Sequence, residues 1–301
     1  VWINGVLVLL IASVSIFTLA VNRKHFSLLY NSHYKQIVAD AGMHPEVTKL
    51  VDSHHEITEY YQSRYKPYSK LVWCDSFTSE IEFRAFIKAQ VETSESIYFG
   101  AWSKTNPNYY SIIKEYYPNE EVKNYLGGST HVFHQNGELK DVVISDLDFA
   151  ESELSNWSNI NENKVVHEER HYYNLDSINE WSPTFKIKLK DVISHQNNTI
   201  RASVRVKPIN GISDVSLVAV IEENGETKHW SNVEFNRFVE YPSDQWQVVH
   251  QSINLSDVMC GDDATITFFV WNKGKRKILL DDFEILQVEG NKYKYGLRDE
   301  F

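Results

Sequence analysis

The sequence predicts an α+β multidomain protein: one transmembrane helix, a small α/β domain and a C-terminal antiparallel β-sandwich. Three observations predict this class. The first twenty-two residues carry no charge. Residues 71–140 alternate short apolar runs with amphipathic stretches. From Trp181 onward, alternating runs of roughly 5–8 residues are separated by Asn, Gly, Asp and Ser. At 301 residues, 42% hydrophobic and 24% charged, the chain has ordinary globular composition and room for two cores.

Residues 1–22 read as the transmembrane helix, since roughly 20 mostly apolar residues cross a bilayer core. The segment lacks an initial Met and the basic leader of a secretory signal, whose apolar core is only about 7–15 residues. The expectation is that the chain is a fragment opening on the last span of a longer protein. Arg23 and Lys24 follow directly, and the positive-inside tendency alone would leave them in the cytoplasm.

Residues 23–70 read as a helical connector. Leu28, Leu29, Ile37, Val38, Val47, Leu50 and Val51 recur at roughly helical spacing. His54, His55, Glu56 and Glu59 lie on mixed faces of it, without an HExxH spacing, and read as solvated.

Residues 71–140 read as the small α/β domain. Leu71–Cys74 and Ser96–Trp102 are strand-like. Thr78-Ser79-Glu80 starts a helix with Ile81, Phe83, Phe86, Ile87 and Val91 on one face. A second helix opens at Asn108 and stops before Pro118, and a hairpin turns at Gly127-Gly128. The domain has no glycine-rich phosphate loop. Without Gly-x-Ser-x-Gly it also has no nucleophile elbow, although the twelve His leave other triads open. His131, His134, His167 and His171 read as solvated.

Residues 141–290 read as the sandwich, with 291–301 as a tail. Its strands are Phe185–Leu189, Ile200–Val206, Val215–Ile221, Trp246–Val249, Ala264–Trp271, Lys277–Leu280 and Phe283–Leu286. A net charge of −11 and the absence of a basic stripe exclude a nucleic-acid surface. Cys74 and Cys260 fit neither a metal spacing nor a disulfide framework, so two buried free thiols are expected.

Two resemblances follow from these residues. Asp148-Phe149-Ala150-Glu151 with Trp157-Ser158-Asn159, Trp246 with Val248-Val249, and Ile278–Ile285 around Asp281-Asp282 resemble a galactose-binding-like, jelly-roll carbohydrate-binding module. Ala150 stands where such modules have Glu. The resemblance implies a structural calcium between the first and last strands, with Asp148, Glu151 and one of Asp281 or Asp282 as oxygen donors. Tyr98–Ser103, Tyr109–Ile113, Lys114–Pro118 and Val132-Phe133 resemble the extracytoplasmic tail of bacterial GT-C-type integral-membrane glycosyltransferases.

That second resemblance implies a soluble part in the periplasm beside the inner membrane. It also implies partnership with the rest of a transmembrane core that uses a polyprenyl-phosphate sugar, and a catalytic loop absent from this chain. No catalytic residue is carried over. The eight Trp and seventeen Tyr are a surplus suited to sugar stacking. Trp230, Tyr241, Arg237, Asn232 and Asn272 are the expected glycan contacts, with Trp246 and Trp271 expected in the core. The alternative is a membrane-anchored carbohydrate-binding protein with no enzymatic activity.

Overall fold

The computed structural model describes residues 2–18, 33–65, 70–137, 141–150, 154–160, 164–167, 170–261 and 263–294. Helix α1 (Trp2–Phe17) is uncharged and mostly apolar. Its 16 residues rise about 24 Å, short of the roughly 30 Å of a bilayer core. Among the described residues no helix is long and apolar enough to cross a membrane. The expected transmembrane span is therefore not found among the described residues; residues 2–17 form a shorter helix, and the rest of the segment, with Arg23 and Lys24, lies outside them. Val6, Leu10, Val14 and Phe17 on α1 are all more than half exposed.

The α/β domain begins far earlier than residue 71. Helix α2 (His33–Gly42), strand β1 (Thr48–Asp52) and helix α3 (His55–Tyr65) precede β2 (Leu71–Trp73), α4 (Glu80–Gln90), β3 (Ser96–Trp102), α5 (Asn108–Lys114), β4 (Asn119–Tyr125) and β5 (Gly128–His134). The sheet runs β2-β1-β3-β5-β4. Strand β1 pairs parallel with both β2 and β3, while β5 pairs antiparallel with β3 and β4.

The helical connector is thus corrected: its second half contains a strand buried inside the sheet. Val47, Leu50 and Val51 sit at i, i+3 and i+4, a spacing that mimics a helix. Their burial as Lys49-Leu50-Val51 between two parallel neighbours decides otherwise. The Lys49 ammonium donates to the carbonyls of Pro45 and Val47 at 3.2 and 2.8 Å.

Helix α2 covers one face of the sheet through Ile37 and Ala41 against Val51, Leu71 and Tyr98. Gly100 permits this approach, because a Cβ there would meet Ile37 Cγ2 at 2.6 Å. Helices α4 and α5 cover the other face. Ser79 caps α4, its hydroxyl accepting the Glu82 amide at 3.2 Å.

The remaining strands are β6 (Val142–Leu147), β7 (Trp157–Ser158), β8 (Lys164–His167), β9 (Arg170–Leu175), β10 (Thr184–Lys188), β11 (Thr199–Pro208), β12 (Val215–Glu223), β13 (Glu226–Glu234), β14 (Gln247–Asn254), β15 (Thr265–Asn272) and β16 (Ile278–Val288). They form two facing antiparallel sheets, β13-β12-β15-β10-β7 and β14-β11-β16-β9-β8, with β6 added along β16. The opening strand is therefore β6, ahead of Asp148, and it pairs with the closing strand as expected of a jelly roll. The two closing runs near 280 are one strand, β16. Phe185, Val204, Leu217, Phe268, Phe283 and Ile285 fill the space between the sheets, and each contributes roughly 1.5–3 kcal/mol by burial.

The two domains share one continuous core, and buried charges fasten them. Arg84 on α4 binds the Glu115 carboxylate through Nε (3.0 Å) and Nη2 (2.8 Å). The same guanidinium donates to the sandwich carbonyls of Phe238 and Val248 at 2.8 and 2.7 Å. The His250 ring donates to Glu115 at 2.6 Å. Burial lowers the His250 pKa, and its Nδ1 has no partner, so the ring is neutral with its proton on Nε2. Burial alone would raise Glu115, but His250 and Arg84 outweigh it and hold the carboxylate ionised.

Candidate functional site

The outward face of the sheet β13-β12-β15 carries an aromatic platform. Strand β15 alternates strictly: Ile266, Phe268 and Val270 point into the core, so Thr267, Phe269 and Trp271 point out. Antiparallel register places outward residues of the three strands in rows: Trp230 with Val220 and Thr267, Asn232 with Val218 and Phe269, Glu234 with Ser216 and Trp271. Trp181 joins Trp271 through an isolated bridge that extends the last row.

The Trp181 and Trp271 rings lie parallel, 5.2 Å apart and 6° from coplanar, and Phe269 leans on Trp181 at 5.4 Å. Trp181 is 49% and Trp230 52% exposed. The Trp271 indole N–H donates to Glu180 at 2.8 Å, which fixes the ring. Rows two residues apart and strands about 4.8 Å apart put Trp230 roughly 16 Å from Trp271 along the diagonal. That is the reach of an oligosaccharide, and flat rings of this kind stack on the apolar faces of sugars.

The expected glycan residues divide here. Trp230 and Asn232 lie on this face, Asn232 also donating to Ser216 Oγ at 3.1 Å. Trp271 does too, which corrects its assignment to the core. The run Phe268–Trp271 is apolar in every position, so its strand phase is hidden until Asn272 is seen to be the inward residue.

Asn272 is fully buried and is corrected as a surface contact. Its amide donates to the carbonyls of Asp176 and Arg276, and its oxygen accepts the Arg276 amide at 2.8 Å. Arg237 is drawn to the domain interface, where Nε and Nη2 hold the buried Glu80 carboxylate at 2.9 and 2.5 Å. Tyr241 is 45% exposed in the β13–β14 connection. Trp246 is half-buried on the opposite sheet, stacked on Tyr172 at 5.1 Å beneath the Arg205 guanidinium. Trp181 was missed, because it lies just before the first recognised strand.

Three of the four candidate calcium donors lie within the described residues. Arg205 already neutralises the aspartate pair, its Nη1 lying 2.6 Å from Asp282 and 3.8 Å from Asp281. Asp281 accepts the Asp282 amide, and Asp148 accepts that of Ala150. Glu151 lies outside the described residues. Among the described residues no three His, Cys, Asp or Glu are grouped to hold a metal ion.

His131 is buried, which corrects its reading as solvated. Its Nε2 meets Ser129 Oγ at 2.7 Å and its Nδ1 meets Glu120 at 2.5 Å. This is the connectivity of a nucleophile, base and acid. Strand β5 is paired along both edges, however, so its amides are spent in the ladders and none is left to stabilise an oxyanion. The trio is a hydrogen-bonded relay. Cys74 is buried as expected, and Cys260 is only half-buried.

No family model matches the chain, and no curated protein matches it. Solved structures similar to it include the CBM22-1 xylan-binding domain of Paenibacillus barcinonensis Xyn10C. That domain is 17% identical over 50% of this chain and 97% of its own, with a TM-score of 0.32. The mannan-recognising carbohydrate-binding module TmCBM27 is 12% identical over 50% and 99%, with a TM-score of 0.29. A Stig cyclase of Fischerella sp. TAU is 9% identical over 50% and 100%, with a TM-score of 0.33.

Proposed function

We propose that this chain is the extracytoplasmic C-terminal region of a bacterial GT-C-type membrane glycosyltransferase, non-catalytic by itself, and that it holds the acceptor glycan across the aromatic face of its sandwich. The observation that carries the glycan reading is the stacked Trp181–Trp271 pair, with Trp181 half exposed, continued by Phe269 and the half-exposed Trp230 over one sheet. A sheet face rarely leaves so much aromatic surface to water unless something covers it. The mostly apolar, exposed helix α1 supports a membrane anchor. On this reading the sandwich presents the glycan while the donor sugar and the reacting groups belong to the transmembrane core.

The experiment is a glycan array probed with the detergent-solubilised chain. Binding to bacterial or plant oligosaccharides that disappears in the Trp181→Ala/Trp230→Ala variant is expected. An array on which no glycan is retained above the level of that variant overturns the glycan reading.

A further inference from the structure

A second cavity lies where the α/β domain meets the sandwich, away from the aromatic face. Its α/β wall is built by Trp102, Ser111 and Ser129, and its sandwich wall by Asn197, Thr199 and Ser252. Ser111 and Ser252 touch across the junction at 3.2 Å. The cavity holds about 100 Å³, room for several water-sized spheres at roughly 10–15 Å³ each. Most of its exposed surface is apolar, with hydroxyls and amides set into it.

The cations around the cavity are already matched. Lys114 Nζ lies 2.7 Å from Glu120 and 2.8 Å from Asp141. Arg201 reaches Asp141 at 3.3 Å. The third lining cation, Lys294, is held by Asp257 at 2.7 Å, so every cation of the lining already has a carboxylate partner, and the exposed Glu289 adds a further negative charge at the rim. The Ser129–His131–Glu120 relay points the same way, since it fixes the orientation of a wall hydroxyl that can both donate and accept.

Two buried polar atoms are left over. Asn197 is 6% exposed and donates its amide to Gly290, yet its Oδ1 has no partner. Arg201 is 7% exposed, and its Nε has none. One is an acceptor, the other a donor, and both belong to residues that line the same cavity. A buried polar group without a partner costs on the order of 1–3 kcal/mol, so such groups mark where a ligand completes the hydrogen bonding.

We infer that this interdomain cavity is a second binding site, built for one uncharged polyhydroxylated ring such as a monosaccharide or a cyclic polyol. Hydroxyls on such a ring satisfy the leftover atoms, one donating to Asn197 Oδ1 and one accepting from Arg201 Nε. Trp102 forms part of the wall against which the ring lies. The inference stands independently of the aromatic face, because the two surfaces share no residue.

The test is a titration of the ¹⁵N-labelled chain with glucose, galactose, mannose, N-acetylglucosamine and myo-inositol, following the indole N–H resonances of its tryptophans. The Trp102 resonance is expected to move saturably with at least one of these, while Trp230 and Trp181 stay in place. Ser252→Leu fills the cavity and is expected to weaken that binding by about tenfold or more. Trp230→Ala is expected to leave it unchanged. The remaining indole resonances report whether each variant is folded, and Ser111→Leu, which fills the cavity from the other wall, serves if Ser252→Leu is not. A Trp102 resonance that no compound moves overturns the inference, as does one that moves equally in the filled variants. Loss of the response in Trp230→Ala assigns the binding to the aromatic face and overturns it too.

Discussion

Trp181→Ala removes one ring of a stacked pair and exposes the face of the other. Buried aromatic anchors dominate recognition surfaces, and truncating one commonly costs 1 kcal/mol or more. Trp181→Ala and Trp230→Ala are therefore each expected to weaken glycan binding by about fivefold or more, measured by affinity electrophoresis in polysaccharide gels. Their folding stability should change little, since both rings are half exposed. Asn272→Ala is the opposite case. It removes three hydrogen bonds from a buried amide and is expected to cost about 2–4 kcal/mol of stability, read from denaturant midpoints, with no direct contact to a glycan lost.

These residues show what was legible in the sequence. Trp230 was recoverable because Asn224-Gly225 marks a turn beside it. Trp271 and Asn272 were interchanged because an apolar run conceals which phase faces inward. Arg237 was misassigned because its partner, Glu80, lies far away in sequence, on another domain.

The strands and helices carry the next level of the account. Helix α2 lies close to the sheet only because Gly100 has no side chain. Gly100→Ala drives a methyl into Ile37 and is expected to lower stability by about 1–3 kcal/mol, visible as a reduced melting temperature. Helix α4 and the sandwich meet through Arg84. Arg84→Ala leaves Glu115 buried beside a neutral His250, and removing one partner of such a pair costs about 3–5 kcal/mol. Arg84→Lys keeps the charge but loses the fork, and is expected to fall between the two.

Elements α4 and β11 were legible because amphipathic periods survive in them, and β3 and β12 because they are nearly continuous apolar runs buried in their sheets. Strand β1 was hidden by an apolar spacing common to helix and strand. Strand β13 was hidden because one of its faces is polar and interrupted by Trp230. Interdomain clamps leave no periodic trace at all, since they join single residues distant in the chain.

At the scale of the whole molecule, one core runs through both domains, so thermal unfolding is expected as a single cooperative transition in calorimetry. Two separated transitions would contradict the shared core. Acid sensitivity has a specific origin. Burial alone would raise the Glu120 carboxyl, but hydrogen bonds and charges from His131 and Lys114 hold it at about 2, against an ordinary 4.5. A depressed folded pKa gives stability that is present above pH 4.5 and lost as the pH falls toward 2. Wild type should lose on the order of 3 kcal/mol from this group across that window, and Glu120→Gln should flatten the slope there. His250, depressed by burial, adds a further loss that begins below pH 6.5, because the unfolded imidazole gains its proton first.

The central claim is that the outward face of the sandwich binds glycan through Trp181, Trp271 and Trp230. Isothermal titration calorimetry with the oligosaccharide retained most strongly on the array tests it most directly. The account predicts saturable binding by the wild-type chain and loss of measurable heat in the folded Trp181→Ala/Trp230→Ala variant. Equal affinity in the two proteins contradicts it.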